Sequence, residues 1–491
     1  MLHYFVISKH LLLQKESFSV EGWAVVKNLF RTKAVSHNTD ENSELRRCLT
    51  ATDLTMLGIG AIIGAGIFVL TGVAAATQAG PAIILSYLLA GLACSFAALS
   101  YAELASCFGG CGGAYSYAYA GIGEFFAWVV GWDLLLEYGM DASTVSIGWS
   151  GYVQSALKAF GITLPHILVT DPFSGGLINL PAVLVILAVA GVLSIGIKES
   201  ARFNEIVVTI KLLVIALFIG IGLFYFKAEN WHPFFPFGLQ GIVNGAGLIF
   251  FAYIGFDSVA SAAEETINPQ RNLPIGILAS LVVCTIIYIL VAAVLIGLVP
   301  YFQLNVSSPV ALALLKVGHR FAAEIISIGA IAGLTTAILA MYYGFSRVFL
   351  AMARDDLLPH FFAKIHAKSQ TPRRLIWIAA MIMAAVAGIF PIGHIASLVN
   401  IGTLAAFIAV CGSVLVLRIT KPQLPRPFRT PWSPLVPLLG ILLCLYLMTS
   451  LSAITWIGFG VWTGVGLLAY FGRLWYLSAS LKKAKGAVVS S

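Results

Sequence analysis

Leu54-Thr-Met-Leu-Gly58-Ile-Gly60-Ala-Ile-Ile63-Gly64-Ala65-Gly66-Ile-Phe68-Val-Leu-Thr71 decides the fold. The stretch is apolar enough for a bilayer interior, yet Gly58, Gly60, Gly64 and Gly66 argue against an unbroken helix. A second stretch, Ile249-Phe250-Phe251-Ala252-Tyr253-Ile254-Gly255-Phe256-Asp257, adds a carboxylate to the same pattern. Backbone freed from helical bonds costs several kcal/mol per group in hydrocarbon and survives only inside protein or beside a cavity. Interruptions at corresponding positions of two halves point to a transporter's central site. Close helix packing alone would also select small residues; the aspartate and the pairing favour a site. The breaks are expected at Ile63 to Gly66 and Ala252 to Gly255, side by side.

Working outward, 59% of the 491 residues are hydrophobic and only 10% are charged, with a mean hydropathy of +0.93. A soluble protein of this length carries far more charge. The expectation is an all-α, multi-pass membrane protein with twelve transmembrane helices. They lie near 52–78, 82–106, 124–154, 179–196, 203–226, 240–263, 274–299, 323–352, 374–390, 395–418, 433–453 and 456–477.

The net charge of +8 does not indicate nucleic acid, because its distribution follows the membrane. Of the 29 Lys and Arg residues, 24 fall on one side, in the N-terminal tail and the even-numbered connections through to the C-terminus. Lys158, Lys227, Lys316 and Arg320 fall on the other, and Lys211 lies within the fifth span. The asymmetry places both termini in the cytoplasm. All seven cysteines lie in spans or on the inner side, so no disulfide framework is expected, and their spacing suits no metal. No signal peptide is read at the N-terminus. The outer connection 156–178 is expected to cap the outer mouth. Gly109-Gly-Cys-Gly-Gly113 followed by Ala-Tyr115-Ser-Tyr117-Ala-Tyr119 reads either as an interfacial gate helix or as an aromatic belt.

A broken helix exposes two chemically opposite ends. The half-helix after Ile63-Gly64-Ala65-Gly66 offers amide N–H groups and a positive dipole end to a carboxylate. The half-helix ending at Phe250 to Ile254 offers carbonyls to an ammonium. Together they describe a receptor for a zwitterionic α-amino acid. Phe251, Ile254 and Met341 would wall its side-chain pocket, so the substrate-binding set is Ile63, Gly64, Ala65, Gly66, Phe250, Phe251, Ile254 and Met341.

Ionisable groups at membrane depth are functional candidates by default. Lys211 lies seven residues beyond Asn204, roughly 10 Å along a helix. Either it snorkels to the surface or its ammonium lies near the carbonyls of Gly60 to Ile63, as a fixed cation in the first break. In the second case, gaining and losing a proton would make it a coupling switch. Asp257 caps the second half-helix or carries a proton, and Glu137 pairs with Lys211 or another cation. Asp133 and Asp141 flank Glu137 one turn away on the same face, as a vestibule wall or a relay. Glu103, Glu264 and Glu265 read as gate or interface charges. Thr335 and Thr336 hydrogen-bond their own backbone or face the central site, and Asn400 lines the path or binds helices together. The coupling candidates are Lys211, Glu137 and Asp257.

Gly58 to Phe68, Phe250 to Asp257 with Ala263-Glu-Glu-Thr266 and Asn268-Pro-Gln-Arg271, and Val399-Asn-Ile-Gly-Thr403 resemble the cationic amino acid transporter family. That family belongs to the amino acid–polyamine–organocation (APC) superfamily, and the chain resembles its bacterial members. The resemblance implies a five-plus-five inverted-repeat core, with residues 49–226 and 239–418 as the two repeats. Two extra helices follow over 433–477, between tails 1–48 and 478–491. It also implies alternating access, substrate held by the first and sixth spans, and proton in place of sodium coupling through Lys211. The chain departs from the family pattern at Gly112-Gly113-Ala114-Tyr115, and Met341 places no anion beside the side chain. Small or medium neutral amino acids are therefore expected.

The expected function is proton-coupled uptake at the cell membrane, with amino acid and proton as partners beside the bilayer. A sterol or a small single-pass subunit is left open as a further partner; no cofactor, metal or nucleic acid is expected. The alternatives are an exchanger, a cationic amino acid transporter and an amino acid sensor. An intramembrane aspartyl protease fails on motif, because Asp257 lacks the second glycine and an aspartate partner.

Overall fold

A computed structural model describes residues 31–32, 49–108, 113–195, 201–359, 366 and 371–489. The basic residues of the tail through Lys27, with Lys33, Arg46, Arg47, Lys198, Lys364 and Lys368, lie outside the described residues, as do Gly109 to Gly112. Among the described residues the chain is helical, with two isolated bridges and no strand. Seven helical segments are long and apolar enough to cross a membrane: Gly66–Cys107, Glu205–Phe224, Gly238–Ala260, Pro269–Leu298, Arg320–Arg354, Ile392–Thr420 and Ala453–Trp475.

Helix α1 (Ala51–Ile62) starts at a capping box in which the Thr50 side chain takes the Asp53 amide and Asp53 takes the Thr50 amide. Its last residue is followed by Ile63 in an extended conformation, with ψ at 94°. The chain resumes as α2 (66–79), two π-helical turns, Gly66–Leu70 and Ala75–Ala79, around the α-helical Thr71–Ala74. Gly80, with φ at +62°, and Pro81 then turn the chain. A Cβ on Gly80 would lie 2.2 Å from Pro236, so the corner requires glycine on two counts. The apolar segment Gly66–Cys107 is thus two passes, α2 and α3 (Ile83–Cys107).

Helix α4 is Gly113–Gly121, followed by α5 (Glu124–Ala159), α6 (Leu180–Ile195) and α7 (Ala201–Phe224). The sixth apolar stretch is likewise divided. Helix α8 (Gly238–Ile249) tightens into a 3₁₀ turn at Phe250–Tyr253. Ile254 is extended and Gly255 has φ at +120°, before α9 (Phe256–Ala260) begins. Helices α10 (Pro269–Leu298), α11 (Pro309–Lys316), α12 (Arg320–Arg354), α13 (Arg373–Ile389), α14 (Ile392–Thr420), α15 (Leu435–Thr449) and α16 (Ala453–Val489) complete the chain.

Helices α5 and α12 make the most extensive helix pair and form a wall behind the breaks. Helix α10 packs against both α1 and α3. Helix α16 docks on α5 through tryptophans: Trp132 Nε1 donates to the Trp462 carbonyl and Trp462 Nε1 to the Trp132 carbonyl. Two connecting segments can be placed. Tyr115, Tyr117 and Tyr119 of α4 are buried within the bundle, so they form no lipid-facing belt. The connection 156–178 lies against the end of α13, where the Asn179 amide bonds the Gly388 carbonyl and Phe173 stacks on Phe390.

One end of the bundle, which we call the basic end, is cross-linked by charge. Glu103, buried at the end of α3, accepts from Arg418 at 2.6 Å and lies 3.3 Å from Arg426. It also takes the Thr430 amide at 2.8 Å. Arg347 pairs with Glu265 at 2.9 Å, and Tyr115 donates to Asp355 at 2.8 Å. The side chain of Glu264 lies outside the described residues. Both guanidinium groups lose their carboxylate in a Glu103→Ala variant, which is expected to cost about 3 kcal/mol. The measurement is the thermal unfolding midpoint in detergent, and an unchanged midpoint contradicts the assignment.

Candidate functional site

The two interruptions touch. A Cβ on Gly66 would lie 2.4 Å from Ala252 Cα, and one on Gly255 would lie 2.9 Å from the Ala61 carbonyl carbon. Glycine at both positions lets backbone pass against backbone with no side chain between.

The carbonyls of the first break are held by side chains from two other helices. Lys211 on α7 is completely buried, and its Nζ donates to Gly60 O at 2.9 Å and Ile63 O at 3.2 Å. The ammonium therefore lies where a cation in the first break was expected, and the snorkelling alternative is excluded. Gly333 on α12 provides the passage, since a Cβ there would lie 2.7 Å from Lys211 Cε.

Tyr288 on α10 was not anticipated. Its hydroxyl lies 2.8 Å from Ile62 O and 2.7 Å from Ala252 O, one carbonyl from each break. A hydroxyl has one proton, so it donates to one of the two at a time. Its only trace in the sequence is a tyrosine amid the aliphatic run of the seventh span.

Ile63, Gly64, Ala65, Gly66, Phe250, Phe251, Ile254 and Met341 are all buried around the breaks. The first amides of α2 have no intrahelical acceptor and belong to this cluster. A Cβ on Gly64 would sit at ordinary contact distance from Val145 on α5 and Ala337 on α12, at 3.9 and 3.8 Å. Met341 is one turn beyond Ala337 on the same helix face. Phe250 turns away, its ring 5.7 Å from Phe407 on α14.

The structure decides between the roles open to several polar residues. Asp257 does cap the start of α9, from the first turn of that helix and not from the N-cap position, which Gly255 holds. The Asp257 carboxylate accepts the Gly255 amide at 3.1 Å and the Tyr138 hydroxyl at 2.6 Å. Glu137 does not pair with Lys211: both its carboxylate oxygens are buried without a hydrogen-bond partner. Asn400 joins helices, its amide donating to Gly247 O at 2.7 Å and Leu248 O at 3.0 Å at the end of α8. Thr335 and Thr336 bond their own helix at Ile331 O and Gly333 O, and Thr335 also accepts from Trp149 Nε1. Among the described residues no group of His, Cys, Asp and Glu could hold a metal ion.

The arrangement has the chemistry to bind a small zwitterion, with amides on one side, carbonyls on the other and apolar walls between. A family model described as amino acid permease matches residues 49–485. A methylthioribose transporter of Bacillus subtilis is 47% identical over 450 residues, which cover 91% of this chain and 98% of that protein. A branched-chain amino acid permease of the same organism is 47% identical over 452 residues, covering 90% and 97%. A vacuolar cationic amino acid transporter of Arabidopsis thaliana is 38% identical over 410 residues, covering 81% and 68%.

The space around the two glycines separates an effect on binding from an effect on stability. Gly64→Ala is expected to leave the unfolding midpoint unchanged and to weaken amino acid binding about tenfold or more. Gly66→Ala forces α1–α2 away from Ala252 and is expected to lower the midpoint itself. Paired thermal-shift and binding measurements test this, and equal stability of the two variants contradicts it.

Proposed function

The chain belongs to the amino acid permease family of membrane transporters, and we propose that it takes up neutral amino acids with protons by alternating access. The observation that carries this reading is the tethered ammonium. Lys211 Nζ sits between Gly60 O and Ile63 O at the first break, a place that would otherwise suit a coupling cation. A permease whose cation is a side chain needs no sodium there, and the coupling ion becomes the proton that the side chain gains or loses.

On this reading the substrate carboxylate binds the amides at Gly64 to Gly66 and its ammonium the carbonyls near Phe250 to Ile254. The side chain lies against Phe251, Ile254 and Met341. Protonated Lys211 holds α7 to the first break. Deprotonated, it donates less to those carbonyls and lets the break move, which opens the site to the other side. Glu137 and Asp257 are the further coupling groups. The twelve spans form two inverted repeats, 49–226 and 239–418, and the basic end faces the cytoplasm of a plasma membrane. The partners are an amino acid, a proton and the bilayer.

Neutral specificity is supported by the apolar character of the pocket walls. It agrees in kind with the branched-chain substrate that one relative's name states. In proteoliposomes, uptake of labelled leucine or alanine is expected to rise as external pH falls, without sodium, and to resist competition by arginine. Preferential competition by arginine overturns the substrate class, and a sodium requirement overturns the coupling. Lys211→Ala is expected to abolish gradient-driven accumulation while substrate binding persists, because the backbone contacts remain. Full pH dependence in that variant removes Lys211 from the coupling.

A further inference from the structure

Three carboxylates rise along one face of α5 with a spacing of four residues: Asp133, Glu137 and Asp141. All three are buried. The next residue on that face is Val145, which approaches Gly64 at the first break. The row therefore begins one turn from the site and extends toward the basic end over about 12 Å of helix rise.

None of these acids, nor Asp257, has a basic partner in an ion pair among the described residues. Asp133 Oδ1 and both oxygens of Glu137 are buried with no hydrogen-bond partner. A carboxylate left bare in such surroundings is expensive, and a bound proton removes the charge. An independent group lies near the row. Tyr101 on α3 is completely buried, its hydroxyl has no hydrogen-bond partner among the described residues, and it lies within electrostatic reach of Asp257 and Glu137. Its ring packs on Phe256, beside Asp257, at 5.6 Å.

Among the described residues, the other elements packed on α5 bring no positive charge to the row. Helix α14 contributes Thr403, whose hydroxyl lies close to Glu137 but donates to the Val399 carbonyl at 3.1 Å, and Cys411 near Tyr101. Helix α4 contributes Tyr117, whose hydroxyl is also unpartnered, and Tyr115, which is bonded to Asp355. On α12, Arg347 is engaged by Glu265 and lies over the Tyr343 ring, and the Tyr342 hydroxyl bonds the Ile376 carbonyl. On α16, Tyr470 and Arg473 face Glu124 rather than the row. Helix α6 has no titratable side chain, and α13 meets the row's helix through Met383 and its carbonyl. Lys211 is held at the carbonyls of the first break.

We propose that Asp141, Glu137 and Asp133 form a proton relay leading from the substrate level toward the basic end, with Tyr101 and the Tyr138–Asp257 pair as its lateral hydrogen-bonding groups. The proposal rests on the proton-coupled reading above and adds Asp133 and Asp141 to its machinery. A proton on an Asp141 oxygen passes to a Glu137 oxygen and then to an Asp133 oxygen. At each transfer one O–H bond breaks and one forms, and no electrons are exchanged. Neighbouring carboxylates sit one turn apart, a separation of about 5–6 Å between Cβ atoms that side-chain rotation or one water spans.

The test compares wild type, Asp133→Asn and Asp141→Asn in proteoliposomes with labelled leucine. Wild type is measured first under an inward proton gradient, with a sodium gradient as a separate arm. Leucine counterflow, which needs no net proton movement, is measured in parallel. Each variant is expected to lose gradient-driven accumulation by about tenfold or more, with counterflow within about twofold of wild type. Wild-type accumulation in both variants overturns the relay, as does an equal fall of counterflow and accumulation. Wild type that responds to sodium or to neither gradient fails on the proton-coupled reading itself, and the relay falls with it. That outcome is separate, because it appears before any variant is measured.

Discussion

A bilayer interior offers no water to an unpaired carbonyl or amide, and the rest of this structure depends on that constraint. The two interruptions free several backbone groups at the depth where they are most expensive. Side chains from distant helices answer them. Lys211 of α7 takes Gly60 and Ile63, Tyr288 of α10 takes Ile62 and Ala252, and Asn400 of α14 takes Gly247 and Leu248. Each of these heads is buried, so each bond also fixes a helix. The breaks thereby determine where α7, α10 and α14 stand.

The same bonds suit a protein that must change shape. The carbonyls of the first break are held by an ammonium and by a hydroxyl shared with the second break, not by a continuous ladder. Such contacts exchange one at a time, and each has an alternative acceptor within reach. Around them the packing is tight, with Gly66 on Ala252 and Gly255 on Ala61, so movement of one half-helix is felt by the other. The basic end is closed differently, by ion pairs of Glu103 and Glu265 with arginines. Arg347 and Glu265 are partly exposed, so separating that pair costs less than separating charges in the bilayer interior, while Glu103 is a buried anchor.

The breaks and the lysine were legible because glycine clusters, a lone aspartate and a lone lysine have few other uses at membrane depth. Ile63 and Gly255 leave helical geometry within the expected ranges, and Lys211 reaches the expected carbonyls. Tyr288 was missed because a tyrosine in an aliphatic run reads as core, and periodicity does not reveal that its hydroxyl bridges two breaks. Tyr115, Tyr117 and Tyr119 stayed open between a gate helix and an interface belt for the same reason: spacing is identical for aromatics that face lipid and aromatics that face protein. Glu137 was matched to Lys211 on charge alone, but the lysine is committed to backbone carbonyls, and only three-dimensional placement settles which acceptor it takes. A side chain at Gly66 would meet the Ala252 backbone whereas one at Gly64 would find ordinary contact space, a difference between two neighbouring glycines that sequence does not reveal.

On the proposed function the interrupted backbone itself recognises the amino acid, and a structure determined with leucine bound is the decisive test. Carboxylate oxygens are expected about 3 Å from the amide nitrogens of Gly64 to Gly66, the ammonium on carbonyls near Phe250 to Ile254, and the side chain against Phe251, Ile254 and Met341. Leucine bound elsewhere, with those amides still facing protein, would contradict it.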